Sequence, residues 1–260
     1  MHGAVEDGTV EDGTAEDVFA TGAYWREYYA SLGHENREVG EFLAELTRGL
    51  SPRGGMKILD AGCGPTLLYW GVFAAGRNEL YGFDLNPSNI ADTHRQIEAA
   101  RARVVDAGLL VAARHALKIL GGAETAESLV ADKAAQVIGL KVADMSATWP
   151  YAAEEFDLVQ SCFALEAMPD WDAFDRALAE AHRVMKPGGS LAIANTAHGN
   201  DWICNDQHIP TLFVTAEELR RRLVDAGFAL QSLRDVHSAD VSWRDQGYGR
   251  LLLTHARKAA

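Results

Sequence analysis

The chain has 260 residues, 48% of them hydrophobic, and a formal net charge of −13. That length and apolar content suffice for one full core with an extra element or two. The acidity argues against a nucleic-acid or anionic-membrane surface, which would need clustered Lys and Arg.

Residues 5–17 repeat a V-E-D-G-T unit and carry Glu6, Asp7, Glu11, Asp12, Glu16 and Asp17 with no base. So polar a segment cannot bury enough surface to offset its ordering, which predicts a disordered acidic tail over 1–20 and a single domain over 21–260. An acidic start is the opposite of a signal-peptide n-region, and no apolar run approaches the roughly 20 residues of a membrane helix. A cytoplasmic monomer is expected. Cys63, Cys162 and Cys204 form no C-x-x-C pair, so buried reduced thiols are expected and no metal site.

Tyr24-Trp25-Arg26-Glu27-Tyr28-Tyr29 and the apolar positions Val39, Phe42, Leu43 and Leu46 predict one or two helices over 21–50, forming a cap. Strands and helices then alternate: a strand over 56–60, a helix over 67–75, a strand over 79–84 and a helix from Pro87. Residues 91–134 are rich in Ala, Arg and Glu at helical spacing, which predicts a long helix, a break at Gly121-Gly122 and a second helix, an insertion on the crevice rim. Further strands are expected over 136–142, 156–161 and 190–195. A helix from Trp171 or Asp172 to Met185 is stopped by Lys186-Pro187-Gly188-Gly189. Thr215-Ala216-Glu217-Glu218 reads as a capping box opening a helix to Asp225. Strands over 228–236 and 249–256 close the chain as an antiparallel edge pair. The alternation implies a Rossmann-like, doubly wound α/β fold: a seven-stranded, mostly parallel sheet with an antiparallel last strand.

In such a sheet, ligands bind beyond the carboxyl ends of the strands. Gly62, Asp84, Asp144 and Ser161-Cys162 therefore face one crevice. Gly62 and Gly64 let backbone approach a ligand, and Asp84, 22 positions after Gly62, lies at the offset where an acid accepts from ribose hydroxyls. Leu67 occupies the position of the dinucleotide fingerprint's third glycine, and Pro65 removes a donor. The loop thus suits an adenosine ligand without phosphates better than a dinucleotide. Asp144-Met145 can offer a carboxylate to an adenine amino group and an apolar side chain to the ring, although an isolated acid there is more often an ordinary loop residue. Cys63 in the loop is best explained by packing.

L-D-A-G-C-G-P, the acid of Y-G-F-D, V-A-D-M, F-D-L-V-Q-S and R-V-M-K-P-G-G-S-L occur in the order and spacing of class I S-adenosylmethionine-dependent methyltransferases, which the chain resembles from about Met56 to Ile193. More narrowly it resembles the nicotinamide, phenylethanolamine and thioether methyltransferase family, through Tyr24 to Tyr29, G-P-T in the glycine loop, the insertion before the third strand, and the run from Ser161 to Ala167. The resemblance implies S-adenosyl-L-methionine as cofactor and a small-molecule acceptor. It implies Tyr24 and Tyr29 closing over the methionine end, with Gly62, Gly64 and Thr66 around it. Asp84 and Asn89 would hold the ribose, Asp144 and Met145 the adenine, and Cys162 the sulfonium side. Two positions depart from the family pattern: the tyrosine usual after G-P-T is displaced to Tyr69, and Asn195 stands where an acid often binds the substrate amine.

Transfer to an amine also requires a group to hold a cation or take a proton. Glu166, just past the fourth strand, is the leading candidate, with Asn195 and Asp201 beside it, and Asp201 with Trp202 could wall a cation. His198 and His208 are further candidates, for which a plain surface role is the commoner one. The expected activity is methylation of the nitrogen of a small amine, heteroaromatic or guanidine compound. Alternatives are O- or S-methylation, more distantly an NAD-dependent oxidoreductase, and a cofactor-binding protein without activity.

Overall fold

The computed structural model describes residues 21–50, 55–204, 207–237 and 247–259; the acidic repeat lies outside them. Two helices, α1 (Thr21–Tyr28) and α2 (His34–Leu50), precede β1 (Lys57–Ala61), α3 (Leu67–Gly71), β2 (Glu79–Asp84) and α4 (Pro87–Arg101). Then come α5 (Ala107–Leu120), α6 (Ala126–Ala134), β3 (Val137–Val142), β4 (Phe156–Cys162), α7 (Trp171–Val184) and β5 (Met185–Ala197). The chain closes with β6 (Asp201–Cys204), β7 (Gln207–Pro210), α8 (Ala216–Asp225), β8 (Phe228–Val236) and β9 (Arg250–Lys258).

Seven strands form one sheet in the order β3-β2-β1-β4-β5-β9-β8, with β9 antiparallel to both neighbours. The fold is the Rossmann-like, mostly parallel one expected. Its central strands alternate apolar residues between two cores. Ile58, Leu158 and Leu251 face α2, α3, α5 and α6, while Leu59, Val159 and Leu252 face α7 and α8. Helix α7 shows the matching periodicity, with Ala173, Phe174, Ala177, Leu178, Ala181 and Val184 buried along one stripe. Asp170 caps it by accepting from the Ala173 N–H at 2.7 Å. Among the described residues no helix is long and apolar enough to cross a membrane, and all three thiols are buried.

The structure corrects the sequence reading in four places. Helix α3 ends at Gly71, not Ala75, because Phe73 and Ala74 bond back three residues, to Trp70 and Gly71, and tighten the last turn. The stretch over 91–134 holds two breaks, not one. Arg103 adopts φ 60°, and the Val104 N–H returns to the Ala99 carbonyl, after which the Asp106 carboxylate caps α5 through Gly108 at 2.7 Å. The insertion expected on the crevice rim also reaches inward: Leu109, Ala112, Ala113, Ala116, Leu129 and Val130 belong to the core beneath α2 and α3. Strand β5 starts at Met185, paired with Phe156, and the Lys186 to Gly189 segment is an irregularity within the ladder. Finally, residues after Asn195 that read as a loop form the antiparallel hairpin β6–β7.

Candidate functional site

The carboxyl ends of β1, β2, β3 and β4 meet at one edge, as the parallel register requires. Gly62 and Gly64 both have positive φ, 69° and 50°, but they do different things. A Cβ on Gly62 would sit 2.6 Å from the Ala164 Cβ, so that glycine is required by protein packing. A Cβ on Gly64 would meet nothing within 4 Å, so that glycine borders open space. The Gly64 N–H donates to Asp84 Oδ2 at 2.8 Å. Asp84 Oδ1 accepts from the Asn86 N–H and Asn89 Nδ2, each at 2.9 Å. A carboxylate has about four acceptor positions, so room for a hydroxyl donor remains. Burial pushes the Asp84 pKa above its ordinary value, and these three donors pull it back.

Asn89 does not reach outward. It is buried between Asp84 and Thr21, whose hydroxyl donates to Asn89 Oδ1 at 2.8 Å, so it orients the acid and ties α1 to α4. Thr66 is likewise buried, its hydroxyl donating to the Cys63 carbonyl at 2.8 Å and bracing the loop. Cys63 packs with Leu67 and Ile90. Asp144 is exposed and accepts from Ser146, while buried Met145 brings its sulfur to 3.5 Å from the position of a Gly62 Cβ. Cys162 is buried at the end of β4, and that burial raises its thiol pKa.

Sequence reading passed over Asp60, at 1% exposure in β1. Its Oδ2 accepts from Gln160 at 3.0 Å, its Oδ1 is buried without a partner, and burial lifts its pKa to about 7. An orphaned carboxylate oxygen beneath a glycine loop suits an ammonium ligand. Together with the open space at Gly64 and the spare capacity of Asp84, it matches an amino acid joined to a ribose.

Beyond this edge lies a small pocket, about 30 Å³ in volume, lined by Tyr24, Tyr28, Tyr29, Glu35, Asn36, Phe163, Glu166, Thr196, Trp202 and Tyr248. Tyr24 and Tyr29 join through their hydroxyls at 2.9 Å, and Tyr24 packs on Trp202 with ring centroids 5.6 Å apart. The Tyr28 hydroxyl donates to the Ile203 carbonyl, which ties the cap to β6. Tyr69 lies behind this layer, edge-on to Tyr29 at 4.8 Å and fully buried, so the displaced tyrosine supports the cap from the core side. Phe163, at φ 59°, takes a left-handed conformation rare for an aromatic residue. It turns the chain from β4 into the short helical turn Leu165–Ala167 that carries Glu166.

Glu166 is 1% exposed. Its Oε1 accepts from the Thr196 N–H at 2.8 Å and the Thr196 hydroxyl at 3.0 Å, and its Oε2 from Asn195 Nδ2 at 2.9 Å. Burial raises its pKa to about 7, against the pull of those donors. Asn195 is fully buried and orients Glu166 without lining the pocket. Asp201 does not line the pocket either. It pairs with His208 across the hairpin, and only the neighbouring Trp202 faces inward, so the expected carboxylate and aromatic wall is split. His198 packs on Phe213, away from the pocket. Glu35, Asn36, Thr196 and Tyr248 escaped sequence reading, Thr196 although it directly follows Asn195 on β5.

The sequence profile of the NNMT/PNMT/TEMT family matches residues 8–259. The chain belongs to that family. S-adenosyl-L-methionine is accordingly the cofactor, and the dinucleotide alternative falls away. Human phenylethanolamine N-methyltransferase is 26% identical over 189 residues, covering 69% of this chain and 65% of that protein. A ubiquinone biosynthesis O-methyltransferase from Chelativorans sp. is 28% identical over 194 residues, covering 69% of this chain and 61% of that protein. The chain thus spans less than two thirds of the length of either relative. A solved S-adenosylmethionine-dependent methyltransferase from Methanosarcina mazei shares the fold, with a TM-score of 0.54, 19% identity and coverage of 80% of this chain and 94% of that one.

Proposed function

We propose that this member of the NNMT/PNMT/TEMT family methylates the nitrogen of a small amine, heteroaromatic or guanidine compound, acting as a cytoplasmic monomer with no nucleic-acid partner. One observation carries the reading: a buried carboxylate, Glu166, opens into a pocket walled by aromatic rings. Bound S-adenosyl-L-methionine supplies a methyl group on a positively charged sulfur, open to in-line attack by a lone pair. Asp60, Gly64 and Asp84 would hold its amino acid and ribose, Met145 the adenine.

The rings of Tyr24, Tyr29, Phe163 and Trp202 hold a cationic amine by their faces and keep water from the reacting centre. Glu166 binds the ammonium and takes up the proton that must leave before the nitrogen has a lone pair with which to attack. A carboxyl with a pKa of about 7 is matched to that exchange, since it can both accept and release a proton near neutrality. Asn195 and Thr196 fix its two oxygens in direction, which preserves the alignment an in-line displacement needs.

The test is release of adenosylhomocysteine from a panel of primary amines, pyridines and guanidines. The reading requires turnover with at least one nitrogen compound and its loss in Glu166→Gln; no turnover with any nitrogen acceptor would defeat it. The likeness to an O-methyltransferase supports a second reading, in which the same carboxylate deprotonates a phenol held among the rings. Phenols and catechols in the same panel separate the two.

A further inference from the structure

The Glu166 carboxylate is surrounded by donors. The Thr196 N–H and hydroxyl converge on Oε1 at 2.8 and 3.0 Å, and Asn195 Nδ2 donates to Oε2 at 2.9 Å. All three contacts suit the ionised acid, which offers only acceptors. A neutral carboxyl carries an O–H of its own, and at 1% exposure that proton needs an acceptor within the protein. A backbone N–H cannot become one. Asn195 accepts only if its whole amide turns over inside a fully buried site. The Thr196 hydroxyl reverses by rotating a single hydrogen, since one oxygen both donates and accepts. Thr196 also lines the pocket. Its hydroxyl gives its one hydrogen to Glu166, and among the described residues nothing donates to its two lone pairs.

We infer that the Thr196 hydroxyl is a second catalytic group, carrying the proton from the acceptor's nitrogen to Glu166. This rests on the pocket being the acceptor site, as proposed above. Two transfers balance the step: an ammonium N–H gives its proton to Thr196 Oγ as the Thr196 O–H gives its own to Glu166 Oε1. The nitrogen keeps the electron pair of the broken N–H bond, which is the lone pair it needs for attack. Thr196 ends as a hydroxyl again, and Glu166 ends neutral with its O–H donating to Oγ. The tyrosines of the pocket do not compete as bases. Burial raises the pKa of Tyr24, Tyr28, Tyr29 and Tyr248, so they keep their protons near neutrality.

Two measurements on the full chain test this, one of them independent of turnover. Infrared spectra are recorded as the pH is lowered through the titration of Glu166, whose neutral carboxyl band is the one missing from Glu166→Gln. Thr196→Val removes the acceptor of that O–H and should move the band to higher frequency, while Thr196→Ser should leave it in place. The second measurement is single-turnover release of adenosylhomocysteine with primary alkylamines, which are cationic near neutral pH and must lose a proton. Thr196→Val should slow it by roughly 100-fold, the low end of the effect of acid–base catalysis, with amine affinity by calorimetry unchanged. Thr196→Ser should recover most of that loss. Unchanged affinity for adenosylhomocysteine verifies the fold, and Thr196→Ala carries the same test should the valine variant not fold. An unmoved band, undiminished turnover in Thr196→Val, or an equal loss in Thr196→Ser overturns the inference. Absence of release from any amine by the unaltered protein defeats nitrogen methylation instead, and the band alone then decides whether Thr196 receives the Glu166 proton.

Discussion

The two halves of the crevice are made of different materials. At the glycine loop, the groups proposed to hold the cofactor come from the ends of adjacent strands, with backbone N–H groups gathered on Asp84. In the aromatic pocket the groups are side chains drawn from α1, α2, the turn after β4, β5, β6 and the segment before β9. The first is set by sheet topology, which all strand ends share. The second is set by which side chains the cap and the hairpin bring in, and so can change without disturbing the sheet. A family can thereby keep one cofactor and exchange acceptors.

Removing the acid of each half should separate them most sharply. Glu166→Gln should lower kcat by roughly 10²- to 10⁴-fold, the range for loss of a general base, with cofactor affinity unchanged by calorimetry; a matching loss of cofactor affinity would merge the two halves. Asp84→Ala should do the reverse. It leaves three N–H donors without their acceptor, at about 1–3 kcal/mol for each one buried, and should weaken cofactor binding by roughly 100-fold or more with a lowered Tm.

The pH dependence sharpens the same division. Turnover that needs ionised Glu166 should rise with pH through about 7, and the inflection should vanish in Glu166→Gln. Stability should move the other way. A carboxyl whose folded pKa lies above its unfolded value holds its proton more tightly when folded, so stability falls as pH rises from the unfolded value, 4.5 for Glu166, through the folded value of about 7. Asp60 acts in the same sense, so Glu166→Gln should remove only part of the decline in Tm across that window.

Smaller effects should distinguish the two glycines. Gly62→Ala forces a methyl group onto Ala164 and adds the strain of its own positive φ, so it should cost about 2–5 kcal/mol of stability by thermal melting. Gly64→Ala meets no atom of the protein, so it should cost only the strain of its positive φ, about 1–2 kcal/mol, and show its main effect in cofactor affinity. The smallest change belongs to Asp201→Asn, which breaks a largely exposed pair with His208 worth at most about 1 kcal/mol. It should alter kcat/KM by less than about twofold, and a larger loss would bring the hairpin carboxylate back into the acceptor half.

The same contrast explains what the sequence disclosed. Strand ends carry local signals, so the sheet was legible, and so was the position of Gly62, Gly64, Asp84 and Glu166 at its carboxyl edge. Asp60 went unread because nothing in L-D-A-G marks which of its groups will lack a partner. The break at Arg103 was hidden because a non-glycine residue in the left-handed region leaves no compositional trace. Glu35 and Tyr248 were invisible since no motif contains either, and the pocket that joins them also draws on Glu166 and Trp202 from distant parts of the chain. Asn195 and Asp201 illustrate the opposite case: proximity in sequence to the strand end suggested direct contact, and one proved to be a brace for Glu166 and the other a hairpin residue.

Gly108, at the start of α5, lies directly against the backbone carbonyl of Tyr29, where a Cβ would overlap the oxygen. Beside it, Asp106 accepts from the Trp25 indole at 3.1 Å. The aromatic cap and the mid-chain insertion are therefore fitted to each other across some eighty residues of sequence, although neither adjoins the other along the chain. For protein engineering, this means that transplanting the cap from one relative to another to change acceptor preference should succeed only when α5 travels with it. A chimera that exchanges the first helix alone inherits a seat cut for a different tyrosine.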